Sequence, residues 1–293
     1  MFSGFGLLIT GRAVFGGGDA GEITPPQSMM TTLLLHGLTS QWLVLGILCV
    51  LLALAAEAGF RLGFRLHEKG DEARKGQIGG VQGAILGLLG LLLGFTFSMS
   101  ANRYEARRAL VLQEANCIGT TYLRAALLTE NRQPAVENLL RRYVDARIDF
   151  YEAGEKLARQ REVERVTSGL QGELWAHAVG AAKEAPTPVT VSFIDSLNDT
   201  IDTDAARVNA LRTHVPSAVW LLVLMVSVCG CCVNGYSAGS SGRRNGFASW
   251  VLPLMIALAI TFIADLDRPR GGMIGISQQP MLDLRESLRP RVP

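Results

Sequence analysis

The chain has 293 residues, 48% of them apolar and only 18% charged, with a formal net charge of +2. Soluble domains carry about a quarter charged residues, and here the deficit is concentrated in four stretches. A balance this close to neutral gives no electrostatic support for nucleic-acid binding.

The first 32 residues form an N-terminal extension, expected to be poorly ordered. Phe5–Ile9 is apolar but too short to span, and it lacks the basic start of a signal peptide. Gly16-Gly-Gly-Asp-Ala-Gly21 and Pro25-Pro26 read as loop.

From about Leu33 to Ala56 runs the first charge-free apolar stretch, with Trp42 near its start; it ends in Glu57-Ala-Gly-Phe-Arg61. A charged loop follows, Arg61 to Lys75, and then no charge occurs until Arg103. These two runs make a transmembrane hairpin over residues 33–101. A third run lies between His214 and Arg243 and a fourth between Arg244 and Asp265, joined by the Gly/Ser turn Ser237–Gly246. They make a second hairpin over 215–264, followed by a C-terminal segment, 265–293. Each run can supply the roughly 20 helical residues that cross a bilayer. The short loops predict that the first span pairs with the second and the third with the fourth.

Residues 102–214 hold most of the charge. Apolar residues recur there at helical spacing, as in Leu139, Leu140, Tyr143 and Val144, then Ala146, Ile148 and Phe150. Pro134 and Ala185-Pro-Thr-Pro188 mark breaks, and a last helix is expected from about Thr190 to His214, with Pro216 opening the third span. Strand signals are weak. The fold class is therefore an all-α membrane protein with a helical soluble domain between the second and third spans. Both termini and that domain lie on one side of the bilayer. Basic residues flanking the spans tie between the two sides, so the positive-inside count does not choose the side.

The second span is the most informative. Gly83, Gly87, Gly90 and Gly94 fall within about 60° of one another at 100° per residue. Such a stripe admits a neighbouring helix at close range. Beside it Leu91, Phe95, Ser98 and Asn102 cluster on a second face, apolar first and polar toward the soluble domain. That face fits a pore-lining helix with an apolar constriction, and it also fits a helix whose end leaves the bilayer, which is the commoner case. Arg103-Tyr-Glu-Ala-Arg-Arg108 continues the helix into Leu110–Asn116 without Gly or Pro. Arg103, Arg107 and Arg108 read either as a solvated cluster or as a basic collar that concentrates anions at a pore mouth.

The remaining candidates carry no chemistry. The histidines (His36, His67, His177, His214) are scattered, and no HExxH, GxSxG or P-loop occurs. The five cysteines lack the partners of a zinc site. Asp195, Asp199 and Asp202 share a helical face without a calcium loop and read as a solvated acidic face. Asp265 and Asp267 read as helix-exit or capping residues. No catalytic residue, metal or cofactor is expected.

The run Leu88-Leu-Gly-Leu-Leu-Leu-Gly-Phe-Thr-Phe-Ser98, with Arg103–Arg108 and Glu114-Ala-Asn-Cys-Ile-Gly-Thr-Thr-Tyr-Leu-Arg124, resembles the bacterial bestrophin-like domain family of membrane proteins. Further matches are Glu57–Gly63, Arg142-Tyr-Val-Asp-Ala-Arg147, Asp265–Gly272 and Gln278–Leu284. More distantly, Leu93-Gly-Phe95 and Tyr104-Glu-Ala-Arg107 are similar to the second span of bestrophins, which are pentameric anion channels. That resemblance implies a homo-oligomer in the lipid bilayer, a pentamer with its second spans around a pore, inorganic anions as permeant ions, and a cytoplasmic soluble domain in a multi-pass inner-membrane protein. The chain departs from the pattern in having Tyr104 alone before Glu105 and no evident acidic calcium cluster. Two function classes follow: an oligomeric ion channel, and a non-conducting scaffold or sensor whose helical domain binds a partner. A transporter fits less well, since no span shows a broken helix or a buried charge.

Overall fold

The computed structural model describes residues 41–65, 72–153, 157–242, 246–269 and 274–289. The N-terminal extension, the first residues of the first apolar run, most of the first short loop, Arg243, Arg244 and residues 270–273 lie outside these. Among the described residues every regular element is a helix: α1 (Gln41–Arg65), α2 (Glu72–Ala125), α3 (Gln133–Glu152), α4 (Leu157–Glu184), α5 (Pro188–Arg212), α6 (Ser217–Ser240), α7 (Gly246–Asp267) and α8 (Gln279–Ser287). Four of them are long and apolar enough to cross a membrane: α1, the first part of α2, α6 and α7.

The helix boundaries follow local chemistry. α1 continues past Glu57, and Glu57 and Arg61, four residues apart, pair at 2.9 Å on its surface. At the start of α3 stands Pro134, where a missing backbone donor costs nothing. For α5 the start is fixed by Pro188 behind Thr187, whose Oγ1 accepts from the Thr190 amide. Pro216 does not lie in the first turn of α6; it is the extended cap before Ser217. The expected Gly/Ser turn is shorter than its sequence indicates. Ser237–Ser240 remain helical, and the chain leaves the helix at Gly242, whose positive φ of 66° suits a residue without Cβ.

The packing corrects the pairing expected from loop length. The broadest helix contact of α1 is with α6, not with its hairpin partner α2. Gly59 and Gly63 of α1 face Gly235 and Gly239 of α6; a methyl group at Gly59 would overlap the Cys232 carbonyl, and one at Gly235 the Ala56 carbonyl. Two small-xxx-small motifs thus bring the backbones into contact, which in lipid is what associates helices. Loop length sets which spans are antiparallel neighbours in the chain; it does not choose among surfaces, and α1 and α6 carry the matching glycines. Around this pair, Leu52, Ala56, Leu89, Val223, Cys231, Ile256, Ala257 and Ile260 form the membrane core. Outward-facing residues are apolar, and Trp42 and Trp250, 70% and 66% exposed, stand near the starts of α1 and α7, as interfacial tryptophans do.

α2 is the spine. Its 54 residues extend about 80 Å at 1.5 Å per residue, from the membrane core through the soluble domain. There α2 packs on α5, α3 and α8, while α3 packs on α4 and α4 on α5. The soluble core includes Val111, Ile118, Leu140, Tyr143, Leu174, Phe193, Leu197 and Met281.

Candidate functional site

The two faces of α2 differ along the whole span. Leu89, Thr96 and Ser100 are buried against the bundle, and Gln82 donates to Asn234 Oδ1 of α6 at 2.8 Å. The opposite face is open within the chain. A Cβ built on Gly83, Gly87, Gly90 or Gly94 would meet nothing within 4 Å. Leu91 and Phe95 are 54% and 63% exposed, and Ser98 and Asn102 below them are also exposed. All eight residues therefore lie on the side of α2 that the other described residues leave uncovered.

Directly below the bilayer the three arginines of the expected collar separate. Arg108 is exposed, 3.8 Å from Glu105. Arg103 is half-buried. Arg107 is buried, and this corrects its place in the collar. Its Nε donates to Ala210 O at 3.0 Å, Nη1 to Asp267 O at 3.0 Å and Nη2 to Thr213 O at 2.6 Å. The end of α5 and the end of α7 both bring unpaired carbonyls to this point, and the guanidinium satisfies them. Asp267 completes the joint: both of its carboxylate oxygens accept the Val215 amide, at 3.0 and 3.2 Å. Asp265 Oδ2 accepts the Ile274 amide at 3.0 Å. Both aspartates serve the chain's own backbone, as expected of helix-exit residues. Asp195, Asp199 and Asp202 are exposed.

One turn and more below, the soluble domain holds a buried ionic cluster that the sequence reading missed. Glu114 of α2 has no exposed surface. Its Oε1 accepts from Arg147 Nε of α3 at 2.5 Å, and its Oε2 pairs with Arg207 of α5. Arg147 reaches Asp204 Oδ1 at 2.6 Å. Gln171 of α4 donates to Asp204 Oδ2 at 2.7 Å and to the Tyr143 hydroxyl at 3.2 Å, and Arg207 donates to Gln278 ahead of α8. Two cations and two anions cancel, which is how a buried cluster is tolerated. Burial pushes the Asp204 carboxyl above the ordinary carboxylate range, with Arg147 partly offsetting it. Burial, reinforced by Asp204, also pushes the Tyr143 phenol up. α2, α3, α4, α5 and the C-terminal segment are thereby tied around one carboxylate on the spine helix. The signal was present in sequence: Glu114 falls among Val111, Ala115 and Ile118, and Arg147 follows Leu140, Tyr143 and Val144 on the apolar face of its helix. A charge at a core position needs buried partners.

No group of His, Cys, Asp and Glu among the described residues could hold a metal ion.

Comparison with known proteins agrees with this architecture. Crystal structures of variants of a bacterial bestrophin homologue from Klebsiella pneumoniae share the fold. One superposes with a TM-score of 0.55 at 17% identity, covering 84% of this chain and 100% of the other. Two more give TM-scores of 0.59 and 0.58 at 14% and 17% identity, each covering 85% of this chain and 98% of the other. None of the curated proteins matches. The Bestrophin-like domain model matches residues 39–281, most of the chain, and the protein belongs to the Bestrophin-like family.

Proposed function

We propose that the protein is a homo-oligomeric ion channel whose α2 helices surround the pore, with Leu91 and Phe95 as an apolar constriction and Ser98 and Asn102 at its wider, hydrated end. The observation that carries this reading is the open face of α2. In a chain of this family, a spine helix leaves one continuous side uncovered from Gly83 past Asn102. The glycine stripe is where the next subunit packs, and the face beside it lines the lumen. A pentamer is the assembly that the family likeness favours. The soluble domain and the C-terminal segment are cytoplasmic, and the chain resides in the inner membrane. Inorganic anions are the permeant ions that the likeness implies; of the expected basic mouth, Arg108 stands open and Arg103 half-open.

Reconstitution in a planar bilayer with asymmetric chloride tests the proposal. Single-channel or macroscopic current that depends on protein supports it. A protein that assembles but passes no ion under any condition tested is instead the non-conducting scaffold or sensor.

A further inference from the structure

The open face of α2 does not end at the membrane. Two heptad rows run down it: Leu91, Ser98, Glu105 and Leu112, and beside them Phe95, Asn102, Ala109 and Asn116. All eight are exposed within the chain; Leu91, Phe95 and Leu112 are 54%, 63% and 53% exposed. Residues seven apart on one helix differ in direction by only about 20°. The two rows are therefore one strip of surface crossing from the bilayer into the soluble domain. The helix is unbroken throughout, and Glu105, turned about 40° from Leu91 and in line with Gly87, stands at the edge of this strip beside the glycine stripe, about 10 Å below Ser98 at 1.5 Å per residue.

Glu105 is the single ionisable residue in these two rows. The neighbouring arginines point elsewhere. Arg107 is buried on the far side among backbone carbonyls, and Arg103 is half-buried. Arg108, three residues on, is turned by about 60° toward the glycine stripe, and its 3.8 Å contact with Glu105 is between two solvated groups. Water and salt screen such a pair. We propose that Glu105 is the residue that sets ion selectivity: its carboxylates form the first charged ring inside the inner mouth and draw cations into a pore that also admits chloride.

This inference rests on the channel reading. It adds that the mouth of the pore carries negative charge on its lumen side and positive charge displaced toward the subunit boundary. A ring of like charge around a narrow, poorly screened passage raises the local concentration of the opposite ion. Selectivity then follows the side chain nearest the ion path.

The test is the reversal potential in asymmetric potassium chloride, measured on the full-length oligomer after size-exclusion chromatography. The parent is expected to reverse between the potassium and chloride equilibrium potentials. Glu105→Gln should move the reversal toward chloride, with the chloride-to-potassium permeability ratio rising roughly threefold or more. Glu105→Lys should move it further. Arg108→Gln should produce a smaller shift in the opposite direction. Currents in all four proteins with reversal unchanged by either Glu105 substitution would overturn the inference and leave the channel reading intact. Absence of current in the parent and every variant would overturn both.

Discussion

Gly59 and Cys232 meet backbone against backbone, and the Cys232 carbonyl oxygen occupies the place a Gly59 side chain would need. The contact is reciprocal, since Gly235 stands in the same relation to Ala56. Both residues lie inside continuous helices, whose hydrogen-bonded backbones resist local retreat. Gly59→Ala or Gly235→Ala must push α1 away from α6. Overpacking of this kind costs about 1–3 kcal/mol. Thermal unfolding in mild detergent should show a lowered Tm for each. Gly169→Ala in α4, outside the α2 stripe and with open space at its Cβ position, should not lower the Tm. Equal Tm for Gly59→Ala and the parent would show that the two helices are not held in this register.

The second glycine stripe makes the opposite prediction. A Cβ at Gly83, Gly87, Gly90 or Gly94 would meet nothing within 4 Å among the described residues, so larger side chains there have room within the folded subunit. Under the proposed assembly they obstruct the adjacent copy. Gly87→Leu or Gly90→Leu should leave the Tm of the monomer unchanged and shift native mass spectra from oligomer toward monomer. If the parent itself is monomeric at high concentration in mild detergent, the assembly is wrong.

The buried cluster predicts a large and asymmetric cost. Replacing Arg147 with Met leaves Glu114 and Asp204 buried with one cation between them. Loss of one partner from a buried pair costs about 3–5 kcal/mol. Glu114→Gln should be similarly severe, because it leaves Arg147 and Arg207 facing each other. Circular dichroism against temperature should report a strongly lowered Tm for both. Arg108→Gln, on an exposed pair, should change stability by less than about 1 kcal/mol. A surface-like effect of Arg147→Met would mean that the cluster is open to water.

These contrasts also show which features were legible in the sequence. The four spans were readable because charge disappears from them, and the continuation of the second span's helix from Arg103 to Asn116 because no Gly or Pro interrupts it. The breaks at Pro134 and Pro188 were readable because proline constrains its own backbone. The α1–α6 contact was not read, although Gly59, Gly63, Gly235 and Gly239 stand in plain i, i+4 spacing. Glycines on two separate segments do not reveal that they face each other. Arg107 was misplaced for a related reason. Adjacent arginines look alike in sequence, yet on a helix Arg107 and Arg108 point about 100° apart, one into the carbonyls ending α5 and α7 and the other into solvent. Glu114, Arg147, Asp204 and Arg207 come from three different helices, and a charge on one apolar face does not name its partner on another.

The last prediction concerns the constriction. Leu91 and Phe95 lie one turn apart on the open strip of α2, and each projects a large apolar side chain, 54% and 63% exposed. Copies brought together around an axis would place two apolar rings one above the other. An ion entering such a ring loses hydration water and finds no oxygen ligands in exchange, so a dry ring blocks conduction without any moving plug. Truncating both residues to Ala removes most of that apolar bulk, widens the passage and lets water fill it. The fold should tolerate the change, because neither side chain packs in the membrane core. Leu91→Ala/Phe95→Ala is therefore expected to assemble as the parent does and to carry larger currents in the same chloride gradient. Leu89→Ala is the control: Leu89 is buried against the bundle, and its truncation should lower the Tm without increasing conductance. A double variant that assembles normally and passes no more ions than the parent would remove Leu91 and Phe95 from the pore.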